Sequence, residues 1–237
     1  MYQKMRSEVF VAVVLLSFLP LELGAQAVVE NYTSVTDDRL INPEEHNWLS
    51  YRGTLDGWGY SKLDQINDTN IDELQPVWSF STGVLGGHES PPIVNDGVMF
   101  ITTPGNFLYA IEAATGDLLW RYQHNLPENY IAFHRTNRGV ALYGDKVYMA
   151  TLDARVVALD ATTGEKVWDT PVQDNSFGYY ITMAPLAIDG KILVGTSGGE
   201  LGIRGFVVAL DAESGTEAWR TYTVPGPGEP GNESWPG

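Results

Sequence analysis

Ala110-Ile-Glu-Ala-Ala-Thr-Gly-Asp-Leu-Leu-Trp120, Ala158-Leu-Asp-Ala-Thr-Thr-Gly-Glu-Lys-Val-Trp168 and Ala209-Leu-Asp-Ala-Glu-Ser-Gly-Thr-Glu-Ala-Trp219 align without a gap. A degenerate fourth copy closes at Trp78 in Pro76-Val77-Trp78. Units of about 40 to 50 residues, each ending near a Trp, indicate the blades of a β-propeller. The local pattern within each unit agrees. A β-prone run (Lys146 to Thr151, Lys191 to Thr196) precedes a second (Arg155 to Leu159, Phe206 to Leu210), and an Asp-Ala-x-x-Gly turn then leads into the strand bearing the Trp. In such a turn the Asp carboxylate accepts backbone N–H groups ahead of it, and Gly supplies the positive φ. The Trp has the volume to fill the gap between adjacent blades. A β-sandwich also uses Trp-ended hairpins, but the regular period and near-identical turns favour the propeller. Asn70 to Leu74 reads as a short helical turn, and no longer helix is evident after the N-terminal leader. The expected fold class is all-β, a β-propeller, with about four blades present in residues 28–237.

Outward from the repeats, composition narrows the function classes. Of 237 residues, 43% are hydrophobic and 19% charged, enough apolar content for a sizeable core. With 14 basic against 30 acidic residues the formal charge is −16, which repels phosphate backbones and argues against nucleic acid. The same charge attracts a cationic docking protein, although it also serves plain solubility. The chain has no cysteine, which excludes disulfides, thiolate metal sites and cysteine nucleophiles. Lys4 and Arg6, the apolar run Val9 to Leu21 and the small-x-small Ala25-Gln26-Ala27 form the pattern of a secretory leader. The run falls short of the roughly 20 apolar residues of a membrane span, and no later stretch qualifies. Residues 1–27 are therefore expected to be a cleaved signal peptide, with the remainder periplasmic; an uncleaved anchor is the alternative. The Pro/Gly-rich stretch from Pro225 to Gly237 reads as a loop beyond an open sheet edge, a configuration prone to aggregation. The expectation is an N-terminal part of a longer propeller.

Four clusters lie outside the repeat pattern. Gly86-Gly-His-Glu-Ser-Pro-Pro-Ile-Val94 places Glu89 at the mouth of a strand. Asn137-Arg138-Gly139 sets an Arg immediately before another. Tyr180-Ile-Thr182-Met-Ala-Pro185 offers a hydroxyl, and Gly195-Thr-Ser-Gly-Gly-Glu200-Leu-Gly-Ile-Arg-Gly205 is a Gly-rich turn with Ser197 and Glu200. Corresponding positions on successive blades converge around a propeller's axis. One Arg, two carboxylates and small hydroxyls beside flexible backbone suit a small polyanionic ligand together with a hard cation. An Arg grips a carboxylate bidentately, a Glu is an oxygen ligand for Ca²⁺, and Gly admits close backbone approach. Each cluster alone is as readily a hairpin turn or a surface residue; their joint placement carries the reading.

These clusters, the Trp motifs and the opening Asn47-Trp-Leu-Ser-Tyr-Arg-Gly53 … Tyr60-Ser-Lys-Leu-Asp-Gln-Ile66 resemble the methanol/ethanol family of pyrroloquinoline quinone (PQQ)-dependent dehydrogenases, from about Asn47 to the last Trp motif. The resemblance implies an eight-bladed propeller with PQQ beside Ca²⁺ or a lanthanide ion, oxidising a small alcohol and passing electrons to cytochrome c or a quinone. It implies PQQ contacts from Glu89, Arg138, Thr182 and Ser197, pocket backbone from Gly198 and Gly199, and a metal ligand in Glu200. It also puts the family's Trp floor, Asn metal ligand and Asp base downstream of residue 237, so no catalytic base is assigned here. Many family members carry adjacent cysteines over one face of PQQ; Ala132 and Phe133 stand there instead. The segment His134-Arg-Thr136-Asn-Arg138-Gly139 is similar to the pattern of membrane-bound PQQ glucose dehydrogenases, which leaves Phe133 and His134 both open as stacking groups and a sugar or polyol open as substrate. A non-enzymatic outer-membrane assembly scaffold with PQQ-like repeats is the competing class; it gives no reason for the Glu89, Arg138, Ser197 and Glu200 set.

Overall fold

The computed structural model describes residues 29–234; the expected leader lies outside them. Among the described residues, twelve strands form three four-stranded antiparallel meanders. The first contains β1 (Ile93–Asn95), β2 (Val98–Thr103), β3 (Phe107–Glu112) and β4 (Leu118–Gln123). The second contains β5 (Val140–Tyr143), β6 (Lys146–Ala150), β7 (Arg155–Asp160) and β8 (Lys166–Pro171). The third contains β9 (Leu186–Ile188), β10 (Lys191–Gly195), β11 (Phe206–Asp211) and β12 (Glu217–Tyr222). These are propeller blades, so the all-β expectation holds. Three blades are complete among the described residues, where about four were expected. The degenerate copy around Trp78 contributes no sheet strand, and among the described residues no strand pairs with it. The expected helical turn appears as a 3-10 turn at Ile71–Glu73.

The repeated turn behaves as its chemistry requires. Asp160 Oδ1 accepts from Thr162 N (2.8 Å) and Thr163 N (2.9 Å), and Asp211 Oδ1 accepts from Ser214 N (2.8 Å). Gly116, Gly164 and Gly215 take φ of 79°, 74° and 70°. In the first blade Glu112 replaces the Asp, and the turn persists through Gly116 N donating to Glu112 O at 2.8 Å.

Each glycine also explains its Trp. A Cβ added at Gly116, Gly164 or Gly215 would lie within 2.6–2.7 Å of the indole of Trp78 or Trp120, or of the Thr170 and Trp168 side chains. The indole N–H groups of Trp78, Trp120 and Trp168 donate to the carbonyls of Ala113 (3.0 Å), Ala161 (3.1 Å) and Ala212 (3.1 Å). The Trp of one unit is thus seated on the turn of the next, its apolar face packed and its donor satisfied. Trp120 is fully buried between the first two blades, whereas Trp219 on β12, with no following turn, is 41% exposed. In the middle blade β6 is buried throughout.

Residues 29–48 form a strap across one end of the blades. Val29 N donates to Thr162 O (3.0 Å), Val35 exchanges backbone bonds with Gly144, and Trp48 does so with Val94. The short helix α1 (Asp37–Ile41) presents Asp37, which accepts from Tyr143 Oη (2.6 Å) and Asp189 N (2.7 Å). Arg39 locks the strap: it grips both oxygens of Glu44 (2.8 and 2.9 Å) and donates to Asn95 Oδ1 and Thr33 O. Bonds from Arg39, then Asn47, lower the Glu44 carboxyl to a pKa of about 2 from an ordinary 4.5. A depressed carboxylate stabilises fully above its unfolded pKa and loses that contribution as pH falls through the folded value. Amide protection factors in the strap, referred to the intrinsic exchange rate at each pH, should therefore stay high at pH 5 and fall between pH 4.5 and about 2. Protection already lost at pH 5, or unchanged by Arg39→Ala at any pH, would count against this lock.

Candidate functional site

At the end opposite the strap lie the turns linking the second and third strands of each blade and the entries to each first strand. This follows from the meander, in which alternate turns fall at alternate ends. Here the structure gathers most of the sequence-derived set. Arg138, just before β5, donates from Nη1 to Thr182 Oγ1 at 2.6 Å and pairs through Nη2 with Glu89 Oε2 at 3.0 Å. Thr182 Oγ1 lies 3.4 Å from Ser197 Oγ, and Ser197 N donates to Tyr180 O at 2.8 Å. Glu89, Arg138, Thr182 and Ser197 therefore form one polar chain spanning the three blades. The Glu89 and Arg138 side chains are both more than a third exposed, leaving spare hydrogen-bonding capacity toward solvent.

Asn137 fixes the position of Arg138. Fully buried, it accepts from Thr102 Oγ1 (2.8 Å) and Gly139 N (3.0 Å) and donates to Ala150 O (2.9 Å) and Asn106 Oδ1 (3.3 Å). Each bond that an amide side chain forms in a buried setting spares a desolvated polar group. The backbone of Arg138 is fixed as well, its N donating to Thr182 O at 3.0 Å.

The Gly-rich turn separates two roles. Gly198 has φ 116°, and a Cβ there would stand 2.2 Å from the carbonyl oxygen of Gly178. Its lack of a side chain is thus dictated by a backbone crossing between two loops. At Gly199 a Cβ would meet nothing within 4 Å, so that face is open to an approaching group. Glu200 lies exposed in the 3-10 turn Gly199–Leu201, apart from the hydrogen-bonded chain. Its charge nevertheless reaches Tyr180: burial raises that phenol's pKa, Glu200 raises it further, and Arg138 draws it back. Buried Tyr180 is a site residue that the motif reading quoted without assigning; its only signal was its place in the segment leading to Thr182.

Beside Glu89 opens a cavity of about 620 Å³ lined by Leu85, Phe107, Phe133, His134 and Thr136 among others. Phe133 and His134 both face it, so the structure keeps both as lining groups. The buried Thr136 Oγ1 has no hydrogen-bond partner, and neither does Thr196 Oγ1 next to Ser197. A guanidinium, several hydroxyls with spare capacity and an open glycine face fit a flat polyanionic cofactor. A metal is served less fully: among the described residues no three His, Asp or Glu side chains converge, and Glu200 is a lone exposed carboxylate.

The sequence matches the family model for the PQQ glucose/ethanol/alcohol dehydrogenase β-propeller domain over residues 48–236. It is 43% identical over 201 residues to quinohemoprotein alcohol dehydrogenase ADH-IIG of Pseudomonas putida, covering 81% of this chain and 28% of that protein. It is 40% identical over 224 residues to quinoprotein ethanol dehydrogenase of Pseudomonas putida, covering 91% of this chain and 36% of that one. Among solved structures, quinohemoprotein alcohol dehydrogenase ADHIIG from Pseudomonas putida HK5 superposes with a TM-score of 0.78 at 41% identity, over 82% of this chain and 29% of its own. A europium-containing methanol dehydrogenase gives 0.76 at 36%, over 81% and 35%. The chain thus spans about a third of the length of these relatives. Given its blades, its docked tryptophans and this match, the chain belongs to the β-propeller family of PQQ-dependent glucose, ethanol and alcohol dehydrogenases.

Proposed function

We propose that this chain supplies one wall of the cofactor site of an exported, PQQ-dependent dehydrogenase that oxidises a small alcohol. The observation that carries the reading is the continuous chain Glu89–Arg138–Thr182–Ser197, drawn from three blades and facing the open end. Arg138 would grip a carboxylate of PQQ, a charge-assisted fork that a Lys could not reproduce. Glu89 holds the guanidinium in place, and Thr182 and Ser197 offer hydroxyl donors at neighbouring positions. Gly199 would allow the cofactor edge to approach the backbone, with Gly198 shaping the turn. Glu200 would contribute one carboxylate oxygen to Ca²⁺ or a lanthanide ion, a hard-cation ligand of the right kind. PQQ, when bound, would supply the two-electron acceptor, while the protein orients it and tunes its field. No residue of this chain is assigned the proton-accepting role. The acidic surface favours a cationic electron acceptor such as a cytochrome c, with a quinone as the other candidate. Export to the periplasm is supported by the leader pattern of residues 1–27 alone.

The test is a titration of the expressed chain with PQQ, followed by quenching of tryptophan fluorescence. Arg138→Leu should weaken binding by about tenfold to a hundredfold, the worth of a charge-assisted hydrogen bond or two. Equal affinity of variant and wild type, or no binding by either, would sink the assignment of these residues to the cofactor.

A further inference from the structure

The side-chain amide of Asn175 makes four hydrogen bonds to backbone, one within its own loop and three to other segments. Oδ1 accepts from Ile131 N at 2.7 Å; Nδ2 donates to Tyr179 O (2.7 Å), Ile131 O (2.8 Å) and Leu152 O (3.2 Å). An amide group carries two N–H hydrogens, so the longest of these, to Leu152, is a shared bond. The pairing with both polar atoms of Ile131 fixes that residue's orientation as well as its position. Asn175 does not need its amide for its own turn. The 3-10 turn Asn175–Phe177 is capped by Asp174, which accepts from Ser176 N at 2.9 Å, and closed by Gly178 N donating to Asn175 O at 2.8 Å. Apart from the bond to Tyr179 O, the amide serves Ile131, in the loop that follows β4, and Leu152 beyond β6.

That loop leads to the site. Residues 131–138 form an arch with one foot held by Asn175 and the other by the bond from Arg138 N to Thr182 O. Gly105 N donates to Arg135 O at 3.1 Å, a third tie from the first blade. Along the arch come Phe133, His134 and Thr136, which line the cavity beside Glu89, and finally Arg138 itself. Asn175 is not among the residues lining that cavity, so any influence on its contents must pass through the arch.

We propose that Asn175 is a positioning residue for the cofactor site, holding the 131–138 arch so that Phe133 and His134 face the cavity and Arg138 meets Glu89 at its edge. The proposal rests on the reading of the site given above. Its test uses Asn175→Ala and Asn175→Asp in the expressed chain, with two readouts: the rate of tryptic cleavage after Arg135, and the dissociation constant for PQQ. Asp keeps the acceptor for Ile131 N but loses every donor, so it checks the result in a variant of unchanged shape. Both variants should be cleaved after Arg135 at least tenfold faster than wild type and should bind PQQ at least fivefold more weakly, with far-ultraviolet circular dichroism unchanged. Cleavage at the wild-type rate would overturn the claim that Asn175 holds the arch. Faster cleavage with unaltered PQQ affinity would overturn its role in the site and leave a purely structural tie. A wild-type chain that fails to bind PQQ at all would overturn the cofactor assignment instead, and the cleavage rates would still decide whether the arch depends on Asn175.

Discussion

Gly198→Ala is expected to destabilise the chain by more than about 3 kcal/mol, lowering the melting temperature by about 10 °C in a domain of this size. Two independent costs add. At φ 116° an L side chain is strained by about 1–3 kcal/mol wherever it points. The new Cβ would also fall 2.2 Å from the Gly178 carbonyl oxygen, a backbone atom that cannot swing aside as a flexible side chain would. Relief requires separating the loop after β8 from the loop carrying Ser197. Gly199→Ala is the matched control, because its Cβ meets nothing within 4 Å and its φ is not in the left-handed region. It should melt within about 0.5 kcal/mol of wild type, so that any loss of PQQ affinity there reports on ligand approach alone. Thermal unfolding of the two variants side by side decides the matter. Equal melting temperatures would show that the backbone crossing at Gly198 is absent.

The second large effect concerns the seams between blades. Trp120→Ala should cost about 3–5 kcal/mol, as expected for emptying a fully buried indole site. It removes the stacking on Gly164 and strands the Ala161 carbonyl that accepted the indole N–H at 3.1 Å. Trp219→Ala should cost under about 1 kcal/mol, since that ring is 41% exposed and has no turn to sit on. Urea unfolding monitored by circular dichroism would rank the pair. Comparable losses for the two would mean that the Trp residues stabilise their own sheets rather than the seams.

Much of this architecture was legible in the sequence because it is local. Asp, Gly and Trp at fixed offsets specify a turn, its handedness and the residue seated on the next unit, and the three complete blades follow. The degenerate copy shows the limit. Trp78 docks on Gly116 and Ala113 as its motif suggests, yet the residues around it lack a strand to pair with, and pairing is not written in a single segment. The strap was not legible at all, since its bonds run from backbone and carboxylate to turns far along the chain. At the site, Glu89, Arg138, Thr182 and Ser197 were singled out by their joint placement at strand entrances and by the family resemblance, and their side chains do meet in the fold. Asn137 and Asn175 were missed as supports, because an amide that binds peptide groups looks in sequence like any loop Asn.

The strap has a consequence for how the molecule is made. Thr33 finds Asp96 across 63 residues, while Asp37 finds Tyr143 across 106 and Asp189 across 152. Such separations give the strap a high contact order among the described residues, and closing loops of that length precedes any reward from the contacts. For a polypeptide emerging amino end first, the earliest of the described residues should be the last to settle, because some of their partners lie in a third sheet not yet synthesised when they appear. Their polarity up to that moment keeps an unpaired segment in water, and their docking marks the completion of the three sheets that it spans.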